Sequence, residues 1–212
     1  MKIFSVIFAA LLSLLISFPA HAAGASVRQS PRTIKHEALK RRWREVQQSN
    51  YSQISALSQL FHSETYGLSI YFPKDWHGEE VLQTSGGVTT IALFLSPLQE
   101  GDTEQENMNL LVEDIRDTGL TLDDYTRRAV QQEQNIFSDY TLFSSVPLQI
   151  TGFPAHSIRY SAVFHGRTLF FEQVWVLREG KVYVLTFAAP EETFQQYTMT
   201  FRQMVGTFSF EP

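Results

Sequence analysis

The sequence predicts an α+β fold, a three-layer α/β/α sandwich in which a mainly antiparallel central sheet has helices on both faces. The strongest observation is the stretch from Thr168 to Ala189, where two runs with apolar residues on both faces flank Arg178-Glu179-Gly180-Lys181. A sheet exposed on one side would alternate strictly between apolar and polar residues, so both runs are expected to be central strands. Because most predicted strands are joined by hairpins, the sheet should be mainly antiparallel. Gly180 suits a short hairpin loop with a bulge.

The N-terminal segment has the three parts of a secretory signal peptide. Met1-Lys2 is positively charged, residues 3–18 are apolar apart from serines, and Ala20-His21-Ala22 follows the small-x-small rule for cleavage. A retained membrane anchor is the alternative, because the apolar run approaches the minimum length of a membrane span. Pro19 and the cleavage site favour a signal peptide over residues 1–22, which predicts export to a Gram-negative periplasm.

The sequence contains no cysteine. This excludes disulfides, thiolate metal sites, thiol catalysis and the lipidated cysteine of a bacterial lipoprotein. The stability of the exported chain should therefore come from a hydrophobic core, for which 17 Phe, 8 Tyr and 3 Trp are available.

Residues 23–63 are predicted to form a basic N-terminal helical arm. Thr33 is a suitable N-cap, and apolar residues from Ile34 to Phe61 recur mostly at spacings of three or four. Seven Lys and Arg oppose two Glu between residues 23 and 45, whereas 9 Lys and Arg oppose 20 Asp and Glu from residue 46 onward. The sequence thus combines a basic arm with an acidic body.

The centre of the arm is the predicted partner-binding segment, Lys40, Arg41, Arg42, Trp43 and Arg44. It suits an envelope protein or complex, or anionic lipid headgroups with Trp43 as the interfacial anchor. Alternatively, Trp43 and Leu39 pack on the body while the charges are solvated, or the arm neutralises the acidic domain. Nucleic acid is not expected as a partner, because the protein is acidic overall and carries an export signal.

The predicted domain covers residues 64–212 and begins with strands. Alternating side chains predict strands over Tyr66–Phe72, Val81–Thr84, Val88–Leu95 and Met108–Ile115. The second and third of these flank Gly86-Gly87, which permits the primed turns of a two-residue hairpin.

Two helices and several strands are predicted in the second half. Thr121-Leu122-Asp123-Asp124 forms a variant capping box that opens a helix ending near Asn135, and Pro190 opens a second helix that ends before Gly206. Short extended pieces are predicted on either side of Pro147. The remaining extended segments, apart from the central hairpin, are Ala155–Phe164 and Thr207–Phe210.

An ordered set of local features resembles the PsbP-like family, whose fold is shared with DcrB-type envelope proteins. The features are Tyr66–Trp76, Asn109–Ile115, Thr121–Tyr125, Gly152–Ala155, Val182–Thr186 and Thr207–Phe210, and they span about residues 64 to 210. The resemblance implies a non-enzymatic binding or assembly protein. It does not extend to the basic arm, and the anchoring cysteine of DcrB is absent here.

Residues with catalytic or metal-binding potential show no recognised motif. The mature histidines, His36, His62, His77, His156 and His165, lack helical metal spacing, and no Gly-x-Ser-x-Gly sequence occurs. Acidic residues form two groups, Asp102, Glu104 and Glu106, and Glu113, Asp114, Asp117, Asp123 and Asp124. Their oxygens could hold Ca²⁺ or Mn²⁺ weakly, although a solvated acidic face is favoured because the ligand order of an EF-hand is missing.

Three functional hypotheses follow. The first is an exported, non-enzymatic PsbP-like binding protein that serves as an accessory or assembly factor for an envelope complex. The second is a periplasmic carrier of a small ligand or divalent cation, using a pocket between sheet and helix or the acidic groups. An enzyme is the third and least supported, since no catalytic motif is found in the sequence.

Overall fold

The computed structural model of the protein describes residues 57–98 and 105–211. The predicted signal peptide and all of the basic arm before residue 57 lie outside these residues. The described part contains two α-helices, α1 (Leu122–Ile136) and α2 (Glu191–Thr207), and a short 3-10 turn at Arg116–Thr118. Its ten strands are β1 (Leu57–Ser63), β2 (Leu68–Pro73), β3 (His77–Ser85), β4 (Val88–Leu95), β5 (Asn107–Asp114), β6 (Ser138–Ile150), β7 (Phe153–Phe164), β8 (Arg167–Arg178), β9 (Lys181–Pro190) and β10 (Ser209–Phe210).

Seven strands form a large antiparallel sheet with the order β3-β4-β5-β9-β8-β7-β6. Strand β9 lies at its centre and β8 beside it, and most of their residues are buried. The prediction that the hairpin from Thr168 to Ala189 is central is therefore confirmed. The physical basis is that only strands covered on both sides bury apolar residues on both faces.

The turn of the central hairpin differs from its prediction. Arg178 pairs directly with Lys181 and the strand register shows no shift, so the loop has two residues and no bulge. Glu179 and Gly180 both have positive φ, 52° and 70°, as the primed turns require. A Cβ on Gly180 would also collide with Arg116, so this glycine is needed for the close approach of the 3-10 turn as well.

Residues 57–63, assigned to the helical arm, form strand β1 instead. This strand pairs with β2 in a second, three-stranded antiparallel sheet with the order β1-β2-β10. Phe61 and Ser63 are buried, whereas Leu60 and His62 are exposed, which is the period of a strand. The helical prediction for Leu57, Leu60 and Phe61 is wrong because their spacing suits a helix locally, while pairing with β2 decides the conformation.

The large sheet is covered differently on its two sides. On one side, here called the α2 side, helix α2 and the small sheet pack around Phe94, Leu185 and Phe187. On the other, the α1 side, helix α1 packs against β7 and β8 through Tyr125 and Ala129. The α+β class and the mainly antiparallel sheet are confirmed. The simple three-layer α/β/α sandwich is not, since the α2 side contains a sheet as well as a helix.

The helix termini agree closely with the sequence. The Thr121 Oγ1 accepts a hydrogen bond from the Asp124 backbone N–H at 3.2 Å, and the Asp124 carboxylate accepts one from the Thr121 N–H at 3.4 Å. This is the predicted variant capping box at the start of α1. Helix α2 begins at Glu191, one residue later than predicted, with Pro190 as its N-cap. It continues through Gly206 to Thr207, two residues beyond its predicted end, so the last strand starts at Ser209 and not at Thr207.

Strand β6 is continuous through Pro147, where the sequence predicts two separate pieces. Among the described strands it lies at the edge of the large sheet, a position where proline is tolerated. Two register shifts in β6 interrupt the regular edge further. Such irregularities hinder pairing with another chain.

The ion pair between Glu172 of β8 and Arg202 of α2 should contribute measurably to stability. Arg202 donates from Nε and Nη2 to the two carboxylate oxygens of Glu172 at 2.9 and 3.1 Å, and Glu172 is 4% exposed. We expect Arg202→Met to lower the free energy of unfolding by about 2 kcal/mol, because it leaves a buried carboxylate without this partner. The loss is limited because Arg159 of β7 lies opposite Glu172 and its positive charge remains close to the carboxylate.

Urea unfolding of the single variant and of the double variant Glu172→Leu/Arg202→Met tests this expectation. The double variant should recover part of the loss, because neither charge of the pair remains, but Arg159 then loses the neighbouring Glu172 carboxylate. An equal loss of unfolding free energy in both variants would show that Arg202 stabilises the protein through the packing of its side chain and not through the ion pair.

Candidate functional site

A row of buried polar side chains crosses the α1 side of the large sheet. Asn109 of β5 lies opposite Thr186 of β9, and Thr186 lies opposite Gln173 of β8. All three belong to the buried polar residues of the chain. Their neighbours on this side include Leu111, Val184 and Trp175, so the row lies within an apolar layer. We call these three residues the polar row.

Several polar atoms near this row have no hydrogen-bond partner within the described part of the chain. Asn107, the preceding residue of β5 on the same side, is 0% exposed, and neither its Oδ1 nor its Nδ2 is bonded. The Thr186 Oγ1 and the Gln132 Oε1 of helix α1 are unbonded as well. A buried amide without partners costs free energy, so such groups normally contact water or a ligand.

Glu133 of helix α1 lies at the β7 end of this layer. It accepts a hydrogen bond from the Tyr140 hydroxyl at 3.2 Å, and Gln173 donates to the nearby Tyr160 hydroxyl at 3.4 Å. Burial raises the pKa of Glu133 to about 8, although hydrogen bonds from Tyr140, Tyr160 and Gln173 partly oppose the shift. At neutral pH this carboxyl is therefore mostly protonated and uncharged.

A second buried carboxyl lies at the other end of α1. Glu113 of β5 accepts a hydrogen bond from the Tyr125 hydroxyl at 3.0 Å. Burial raises the pKa of Glu113 to about 7, and the bond from Tyr125 lowers it partly. Helix α1 is thus attached to the sheet by two glutamate–tyrosine contacts, one near each end.

The acidic residues considered as cation ligands are mostly engaged by other groups. Asp114 pairs with Arg116, and the hydrogen bonds from that guanidinium hold the pKa of Asp114 at about 2. Asp124 belongs to the capping box, and Glu106 accepts a hydrogen bond from the Ser96 hydroxyl at 2.8 Å. Within residues 57–98 and 105–211 no group of three His, Asp or Glu side chains could hold a metal ion. Asp102 and Glu104 lie outside the described residues.

The histidines of the described residues have different surroundings. The His156 ring contacts the Ser145 hydroxyl at 2.8 Å and stacks on Trp175, and burial lowers its pKa. His62 pairs with Glu211 and His77 lies near Glu79, both on the surface. His165 occupies a hairpin turn with φ of 48°, and His36 lies outside the described residues.

The predicted partner-binding residues, Lys40, Arg41, Arg42, Trp43 and Arg44, lie outside the described part of the chain, so their role stays a prediction. Among the described helices, neither α1 nor α2 has the length and apolar character needed to cross a membrane.

Sequence reasoning missed the polar row. The available signal is the presence of Asn109 and Gln173, and of Asn107 beside the row, in strands that are otherwise largely apolar. Their alignment depends on the pairing of β5 with β9, which residue spacing alone does not reveal.

The fold is similar to that of several solved proteins. Cyanobacterial PsbP (CyanoP) from Synechocystis sp. PCC 6803 matches with a TM-score of 0.55 and 16% identity, covering 76% of this chain and 96% of CyanoP. LpqN of Mycobacterium tuberculosis is described as involved in cell envelope biogenesis. It matches with a TM-score of 0.53 and 14% identity, covering 73% of this chain and 90% of LpqN. PA94 of Pseudomonas aeruginosa, a protein of unknown function, matches with a TM-score of 0.51 and 16% identity, covering 74% of this chain and 99% of PA94.

The sequence itself matches no protein-family profile and no curated protein. At these identities the structural matches establish the fold alone, and they confirm the expected likeness to PsbP-like proteins.

Proposed function

We propose, from its PsbP-like fold, that this chain is an exported, non-enzymatic binding protein that acts as an accessory or assembly factor for a complex of the cell envelope. The observation that carries the proposal is the similarity in fold to CyanoP and to LpqN, whose description places it in envelope biogenesis. The predicted signal peptide supports a periplasmic location.

The surface of the small sheet supports a role in protein binding. Leu60 and Tyr71 are opposite each other on its outer face and are 53% and 44% exposed. Strand β1 begins at Leu57, 13 residues after Arg44 of the predicted basic arm, so the arm and this apolar pair are close in sequence. We propose that the two contact one envelope protein with an acidic surface, since basic and acidic surfaces attract each other during association.

Crosslinking in intact cells followed by mass spectrometry tests this function. We expect the wild-type chain to capture an envelope protein and Arg41→Gln/Arg42→Gln/Arg44→Gln to capture it at least several-fold less. A matched control, Arg127→Gln/Arg128→Gln, changes exposed arginines of α1 and should leave the capture intact. Capture of the same protein in equal amounts by all three forms would contradict the role of the arm. Absence of any captured envelope protein would contradict the proposed function itself.

A small-ligand carrier is the second candidate, and the unbonded atoms of Asn107 and Thr186 favour it. The divalent-cation version has less support, because Asp114, Asp124 and Glu106 are engaged by other groups. Calorimetric titration with Ca²⁺ and Mn²⁺ tests the divalent-cation hypothesis directly. The absence of any heat of binding would count against it.

A further inference from the structure

Carboxamide and hydroxyl groups from three neighbouring strands meet on the α1 side of the large sheet. Asn107 and Asn109 are two residues apart on β5, so their side chains point to the same side. Thr186 and Gln173 continue the row on β9 and β8. All four residues are at most 4% exposed.

Helix α1 contributes one more amide. Tyr125, Ala129 and Gln132 lie on one helical stripe, at spacings of four and three. The Tyr125 hydroxyl reaches Glu113 of β5 and the Tyr125 ring meets Trp175 of β8, so the first part of this stripe faces the large sheet. The Gln132 Oε1 is buried and unbonded within the described part of the chain.

The unbonded groups are difficult to explain by stability. An Asn with both amide atoms buried and unbonded is destabilising, whereas a leucine of similar size at position 107 would carry no such cost. Residues that lower stability without serving the fold are typical of functional sites. Asn107 is therefore expected to bond with a polar group that the surrounding apolar side chains do not supply.

We propose that Asn107, Thr186, Gln173 and Gln132 form a binding site for a small uncharged ligand that both donates and accepts hydrogen bonds, such as a primary amide. The residue types determine this ligand class. Carboxamides and hydroxyls offer donors and acceptors in similar number. None of these four side chains carries a charge that would match an anion or a cation. The site is separate from the proposed envelope contact, because its four residues lie on the α1 side of the large sheet or on α1, and none of them belongs to the arm or to the Leu60–Tyr71 pair.

The neighbouring carboxyl supports the same ligand class. Glu133 is connected to this layer through Tyr160 and Gln173. Since burial raises the pKa of Glu133 to about 8, it carries no charge at pH 6 and can itself donate a hydrogen bond.

Three probes of the same shape test the proposal. Acetamide, acetate and acetamidinium differ in charge but hardly in size, and each is titrated into ¹⁵N-labelled protein at pH 6 while the side-chain amide signals are followed by NMR. We expect acetamide to shift the signals of Asn107 and Gln173 saturably. Acetate and acetamidinium should leave them unchanged.

Two variants complete the test. Asn107→Leu should weaken acetamide binding by about tenfold or more, because two hydrogen bonds are lost, and should raise the melting temperature. Asn135→Leu makes the same change on the exposed side of α1 and should leave acetamide binding unchanged. If Asn107→Leu does not fold, Thr186→Val serves in its place, with the same expected loss of binding.

Several results would overturn the proposal. One is the absence of any saturable shift with acetamide, which would mean that the buried amides contact water only. Equal shifts with all three probes would indicate adventitious binding without selection for charge. Unchanged acetamide binding in both Asn107→Leu and Thr186→Val would place the probe elsewhere.

Discussion

Raising the pH from 4.5 to 8 is expected to lower the free energy of unfolding, and Glu133 should account for the largest part of the loss. Burial raises the pKa of this carboxyl from 4.5 to about 8 in the folded protein. Below pH 4.5 the folded and unfolded chains are both protonated at Glu133. Between pH 4.5 and 8 only the unfolded chain ionises, so unfolding becomes more favourable. Above pH 8 both forms are ionised and the effect levels off.

The size of the effect follows from the shift in pKa. At about 1.4 kcal/mol per pKa unit, a rise from 4.5 to about 8 corresponds to a loss of about 5 kcal/mol. Glu113 adds a loss in the same direction that ends near pH 7, because burial raises its pKa to about 7. His156 acts in the opposite direction, since its pKa is lowered by burial. Asp114, with a pKa of about 2, affects stability only at lower pH.

Comparison with Glu133→Gln isolates the contribution of Glu133. Glutamine keeps the size of the side chain and cannot ionise, so the other titrating groups contribute equally to both proteins. Urea unfolding at pH 4.5, 6, 7 and 9 should show the variant becoming more stable than the wild type as the pH rises, by about 5 kcal/mol in total. A constant difference between the two proteins at all four pH values would show that Glu133 does not titrate abnormally.

The pairs Glu133–Tyr140 and Glu113–Tyr125 also indicate which part of the protein should be destabilised at high pH. Both join helix α1 to the sheet, so ionisation places negative charge beneath this helix. The amides of α1 should therefore exchange with solvent more readily at high pH than intrinsic exchange rates predict, while those of α2 should not. The α2 side has its own polar contact, between Glu172 and Arg202, and lacks these glutamates.

The parts of the fold that the sequence reveals are those fixed by local chemistry. Residues 168–189 show their central position because both faces are apolar, and the capping box at Thr121 shows the start of α1. The sequence of strand β1 predicts a helix because seven residues admit either period and the deciding contact, with β2, is tertiary. The candidate site depends even more on tertiary structure. Thr186 and Asn109 become neighbours only through strand pairing, and the buried state of Glu133 depends on packing against Tyr140 and Tyr160.

Replacing Trp175 by alanine is expected to destabilise the protein by about 3–5 kcal/mol, the usual cost of removing a buried aromatic side chain. Trp175 is 1% exposed and lies on β8, on the α1 side of the sheet. Its ring meets Tyr125 edge to face, with centroids 5.7 Å apart, and stacks near His156. Because Tyr125 also bonds Glu113, the cavity would weaken the contact that attaches the first half of α1 to the sheet.

Trp76 provides a matched control on the other side of the sheet. It is also buried, and its ring lies 5.8 Å from that of Tyr197 in helix α2. Both Trp→Ala variants should lose similar free energies of unfolding at pH 5, where neither loss is masked by ionised glutamates. Native-state amide exchange should nevertheless separate them, with faster exchange in α1 for Trp175→Ala and in α2 for Trp76→Ala. Uniformly faster exchange in both helices for both variants would mean that the two sides open together, as one cooperative unit. Separate responses would show that α1 can detach while the rest of the fold remains intact, which would expose part of the α1 side of the large sheet.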